Sequence, residues 1–161
     1  MKNVDINKNA RLSEHLTLAE MCKTSAKTAD GNIPSHVHIE NLKRLCRWLE
    51  RLRQKYNLNI KEKIKNKNDE PIIINSGYRS PAVNKAVGGA QNSNHLTGCA
   101  ADIRCLGIEQ ALRYATTLLD ISDESKEDFD ELLIEKSSRS IWVHFAVRPK
   151  DNRRKVKFLK K

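Results

Sequence analysis

The chain has 161 residues, 39% of them hydrophobic and 31% charged, which suits one domain with a buried core. Its apolar runs fall well short of the ~20 residues a membrane helix needs, which excludes a membrane-spanning class. Lysine and arginine total 30 against 20 acidic residues, a net charge of +10 that favours anionic partners such as nucleic acid or an anionic cell wall. Aromatic residues make up only 5% and do not interleave with the basic clusters at 44–53, 61–67 and 148–161. Base stacking on a single strand is therefore disfavoured, and nucleic acid with it.

In chain order, residues 1–11 are polar and lack an apolar core, so no signal peptide is expected and synthesis in the cytoplasm follows. Thr17 with Glu20 three residues on has the spacing of a capping box for a short helix. Residues 24–32 read as a loop. After Pro34, residues 37–56 repeat Ile39, Leu42, Leu45, Cys46, Leu49 and Leu52 at helical spacing, with arginine, lysine and glutamate opposite. The polar stretch 57–70 reads as an exposed excursion, and 71–75 as a short buried strand. Residues 76–95 are rich in glycine and poor in large apolar residues, giving loop around a short helix near 81–87. A strand at 100–105, a helix at 107–119 and a hairpin of 129–135 with 141–147 follow. Residues 148–161 form a basic tail with little to bury.

This order implies an α+β fold: a small, largely antiparallel sheet with flanking helices. The expected divisions are a polar segment at 1–11, one domain at 12–148 and the basic tail at 149–161. Cys22, Cys46, Cys99 and Cys105 form no CxxC pair and are expected to be reduced thiols that pack as small hydrophobes.

The chemistry concentrates in residues 93–102, SNHLTGCAAD. His95 and Asp102 stand on either side of a glycine turn, and Asp102 falls inside an apolar strand. His144 lies in a second apolar run, IWVHFAV. Ionisable groups in buried strands are costly unless paired or bound to a metal. Two histidines and an aspartate with one open position suit catalytic zinc. An Asp102–His144 ion pair, with His95 at the surface, accounts equally well for the pattern.

These residues carry a resemblance. S-x-H-x-x-G-x-A-x-D at 93–102 resembles the signature of the D-alanyl-D-alanine carboxypeptidase family of zinc peptidases. SGYRS at 76–80, NKAVGGAQNS at 84–93 and WVH at 142–144 resemble further segments of that family in the same order. The family includes D-Ala-D-Ala dipeptidases and phage L-alanyl-D-glutamate endolysins, and its fold is shared with the Hedgehog amino-terminal domain. The match runs from Leu12 to about Arg148, and short phage and prophage domains are the most similar subgroup.

The resemblance implies His95, Asp102 and His144 as ligands of Zn2+. It implies Arg79 as the residue that grips a substrate carboxylate or carbonyl, a task suited to the guanidinium fork. Ser93 would hydrogen-bond near the site or cap its own turn, and Trp142 would line the substrate cleft or fill the core. Many relatives place a general base three residues before the last histidine, where this chain has Ile141. Others carry it at the end of the preceding strand, where Glu135 stands, with Glu131 on the same face as the fallback. The implied function is hydrolysis of peptidoglycan stem peptides by a monomer acting at the cell wall. The alternative is an inactive zinc-containing module that binds the wall or serves a phage structure.

Overall fold

Helix α1, Leu18–Met21, begins at a reciprocal cap. The Thr17 hydroxyl accepts from the Glu20 backbone, and the Glu20 carboxylate accepts from the Thr17 backbone at 2.8 Å. Ser35 and His38 make the same exchange at the start of α2, His36–Lys63. The computed structural model describes residues 7–64 and 68–161. Residues 1–6 of the polar amino-terminal segment and 65–67 of the lysine-rich stretch lie outside that description.

Helix α2 continues past Tyr56 to Lys63 and takes in much of the stretch expected as an exposed excursion. Ile60 extends the buried stripe one turn beyond Tyr56, while the lysines and glutamate around it are good helix formers that need only solvent. The Asn57 side chain, itself buried, donates to the Glu70 carbonyl at 2.9 Å and accepts from the Glu70 backbone N–H at 2.7 Å. That pair closes the loop back toward the sheet.

Five strands are described: β1 (Ile74–Ser76), β2 (Ala100–Cys105), β3 (Glu131–Lys136), β4 (Ile141–Ala146) and β5 (Lys155–Lys160). They are ordered β1-β2-β4-β3-β5, antiparallel throughout except for the parallel β3–β5 pair. Helix α3, Pro81–Ala86, lies between β1 and β2, and α4, Ile108–Ser125, lies between β2 and β3. This is the expected α+β architecture. The period of two along each strand divides the sheet into two chemistries. Ala101, Ile103, Leu132, Val143 and Phe145 are buried on one face, with Leu42, Leu45, Leu49 and Leu52 of α2 and Tyr114 and Leu118 of α4 in the same core. Each Val, Leu, Ile or Phe among them stabilises the fold by about 1.5–3 kcal/mol when fully buried. The other face carries Asp102, Glu131, Glu135, Trp142 and His144.

The carboxyl end differs from the sequence reading. Lys155–Lys160 forms an edge strand beside β3 instead of a free tail. Val156 and Phe158 stay 52% and 58% exposed, so backbone pairing rather than burial attaches it. β4 ends opposite Glu131 and β5 begins opposite the same residue, so residues 147–154 cross the start of β3.

Candidate metal centre

Two glycines show why the motifs have their spacing. A Cβ on Gly77 would lie 2.2 Å from the Met21 carbonyl oxygen, so only glycine lets this segment run against α1. The Gly77 carbonyl then accepts from His95 Nδ1 at 2.6 Å. His95 sits in a single 3-10 turn, Asn94–Thr97, whose first N–H groups are capped by Ser93. Gly98 ends that turn in the left-handed region, at φ 72°, with space for no Cβ against the His38 carbonyl 2.7 Å away. The chain passes directly into β2, which brings Asp102 beneath His95.

Asp102 and His144 are directly opposite each other on β2 and β4. His144 Nδ1 lies 2.9 Å from Asp102 Oδ1, and His95 Nε2 lies 3.3 Å from the same oxygen. The candidate ligand atoms of the three residues all fall within 4.8 Å of one another. His95 is 2% exposed and His144 6%, which rules out the alternative with His95 at the surface.

The outer nitrogens settle which ring atoms face inward. His95 Nδ1 meets a backbone carbonyl, so it carries the hydrogen and Nε2 presents a lone pair. His144 Nε2 meets the Glu131 carboxylate at 3.2 Å, which leaves Nδ1 as the inward atom. Electron-pair donors converging on one carboxylate oxygen repel one another unless a cation or proton lies between them. Burial would raise the Asp102 carboxyl, but His95 and His144 outweigh it and hold the group well below the usual range. Burial also opposes a charged His144, and there the hydrogen bonds to Asp102 and Glu131 prevail and raise its pKa. Two imidazoles and a carboxylate, each imidazole held from behind by an acceptor, fit a zinc ion.

Arg79 lies beside this group. Its Nη2 donates to Asp102 Oδ2 at 2.7 Å and its Nε to Ser76 Oγ at 2.8 Å, so the aspartate's second oxygen is engaged. Ser93 faces its own turn: its Oγ accepts from the His95 N–H at 3.3 Å. Trp142 is half-buried on the site's face of the sheet, with the Lys161 ammonium 5.6 Å from its ring centre.

The two candidate acids differ. Glu135 is opposite Trp142 and Glu131 opposite Ala146, so they flank the Leu133–His144 pair at opposite ends. Glu135 is buried with Lys161 2.5 Å from its carboxylate. Glu131 accepts from His144 and from Asn94 Nδ2 (3.1 Å) on Oε2, and from Arg153 Nη2 (3.1 Å) and Lys155 Nζ (3.2 Å) on Oε1. His144 above all holds its pKa down to about 2.

An α+β sheet presenting two histidines and an aspartate at one buried point defines a candidate metallohydrolase. The chain belongs to the peptidase M15 family, whose model matches residues 14–144. It is also 54% identical over 35 residues to the zinc D-Ala-D-Ala carboxypeptidase of Streptomyces albus G, a stretch covering 22% of this chain and 14% of that protein. Among the described residues, no helix is long and apolar enough to cross a membrane.

Sequence reasoning missed Asn94, Asp130 and Arg153. The available signal was Asp130-Glu131 at the mouth of a buried strand, two acids that need partners the local sequence does not supply. The four cysteines are free thiols, and Cys46, Cys99 and Cys105 are buried, as packing residues should be.

Proposed function

We propose that this chain is a zinc peptidase that hydrolyses peptidoglycan stem peptides. The observation that carries the reading is the convergence of His95 Nε2 and His144 Nδ1 on Asp102 Oδ1, with both outer ring nitrogens already held. Those three residues would hold the ion. Zinc, when bound, supplies the Lewis acidity that makes water a nucleophile at neutral pH and polarises a carbonyl.

Glu135 is the general base: it takes a proton from the attacking water and returns it to the leaving amine. Glu131 suits that role poorly. It lies behind the His144 ring, its oxygens already accept four donors, and a carboxyl with a pKa of about 2 is a weak base. Glu135 shares the sheet face of His144, and its one ion-pair partner among the described residues is Lys161, whose side chain is 58% exposed. Arg79 orients Asp102 and offers its remaining donors to a substrate carboxylate or carbonyl. Trp142 lines the approach, and Ser93 holds the His95 turn. The basic carboxyl-terminal segment supplies electrostatic affinity for an anionic wall.

Metal analysis combined with an assay on purified muropeptides tests the reading. Zinc at one equivalent with released D-Ala or a cleaved stem peptide is expected, and the product identifies the bond cut. Zinc without cleavage would replace the enzyme by a wall-binding module.

A further inference from the structure

The segment that crosses the start of β3 is tied to the metal centre. Asp130, 0% exposed, accepts from Asn94 Nδ2 (2.7 Å), Arg153 Nη2 (2.6 Å), Arg153 Nε (2.9 Å), the Arg153 backbone N–H (3.2 Å) and Arg148 Nη1 (3.4 Å). Arg153 Nη2 also reaches Glu131 Oε1, where Lys155 joins it. Behind these contacts the crossing loop makes its own hydrogen bonds. Asn152 bonds the Arg148 backbone in both directions, at 2.8 and 3.1 Å. Asp151 and Arg154 occupy the left-handed region at φ 57° and 48°, a conformation that suits an aspartate in a turn and is uncommon for an arginine. The Arg154 guanidinium is held by Ser122, Asp123 and Asp128, together with the face of Phe129. All of this segment lies beyond residue 144, where the family match ends.

We propose that residues 148–155 are a positioning element of the metal centre that acts through Glu131. Arg153 and Lys155 fix Oε1 of Glu131, so that Oε2 is held against His144 Nε2–H and Nδ1 is presented beside Asp102 and His95. A histidine ligand held by a fixed carboxylate keeps its tautomer and ring angle, and loss of such a partner weakens metal binding by roughly 10- to 100-fold. The proposal rests on the metal-centre reading given above.

The test is the zinc dissociation constant of the full chain, measured by competition with a chromophoric chelator on protein shown to be folded by near-UV circular dichroism. Arg153→Ala should weaken zinc binding about tenfold, and Arg153→Lys should recover part of the loss. Arg153→Ala also removes donors from buried Asp130, so Lys155→Ala, whose ammonium contacts Glu131, is measured beside it and should weaken binding in the same direction. In a Glu131→Gln background, Arg153→Ala should add no further loss, because the route through Glu131 is already cut. A merely structural role would lower the melting temperature and leave the affinity of the folded protein unchanged. Wild-type affinity in both folded single variants, or fully additive losses in the cycle, overturns the proposal while leaving the zinc site intact. A wild-type chain that binds no zinc overturns the metal-centre reading itself, and this proposal with it.

Discussion

Asp102 and His144 form a cross-strand pair in which one carboxylate oxygen faces Nδ1 at 2.9 Å, on a sheet face otherwise opposite the apolar core. The pair is buried, and both partners are lone-pair donors once His144 is neutral. A metal between them relieves the conflict. Asp102→Ala and His144→Ala should therefore each abolish stoichiometric zinc, read by metal analysis of dialysed protein, and with it any peptide hydrolysis.

Glu135→Gln separates binding from proton transfer. The substitution keeps size and polarity and removes basicity, so zinc content should stay at the wild-type level. Turnover on muropeptides should fall by about 10²–10⁴, the usual contribution of a positioned base. Full activity in the variant would remove Glu135 from the mechanism.

Arg79 holds the outer oxygen of Asp102 with one arm of a planar fork. Lysine provides a point charge without that geometry. Arg79→Lys should keep zinc but raise KM for a carboxylate-bearing peptide by roughly tenfold or more, as expected when a bidentate contact is lost. A KM equal to wild type would place the substrate elsewhere.

Gly98 is left-handed and closes against the His38 carbonyl. Gly98→Ala should cost about 1–3 kcal/mol from the backbone conformation alone, with the clash added. Thermal denaturation would show the loss, and zinc affinity should fall too because the turn sets the height of His95. An unchanged melting temperature would contradict the geometry.

Asp130 predicts an acid dependence. Burial would raise its carboxyl, but the hydrogen bonds from Arg153 and Asn94 outweigh that and hold it below the ordinary range. The unfolded carboxyl, with a pKa of about 3.9, binds a proton more readily, so its contribution is complete above that value and fades as pH falls through the lower folded pKa. Asp130→Asn should lower stability at neutral pH and flatten the acid limb of the unfolding profile in zinc-free protein. An acid limb as steep as wild type would assign the dependence to other groups.

Much of this was legible in the chain itself. The apolar spacing of α2 and the alternation in β2 and β4 locate the core elements, because burial imposes its period locally. The order SGYRS, SxHxxGxAxD and WVH singles out His95, Asp102 and His144, which the structure brings together, and its Gly77 and Gly98 stand at close approaches that tolerate no side chain. The extension of α2 to Lys63 was not legible, because lysine-rich sequence is equally at home in a solvated helix or a loop.

Sequence alone determined that Glu131 and Glu135 share one face of β3, because strand period does that; the register of β3 against β4 then puts His144 on the same face. Only the tertiary structure decided which partners each acid meets. The crossing of residues 147–154 over the start of β3 brings Arg153 and Lys155 to Glu131, and the last residue, Lys161, to Glu135. Partners so distant along the chain leave no local signature, because strand period places a side chain on a face without fixing what will meet it there.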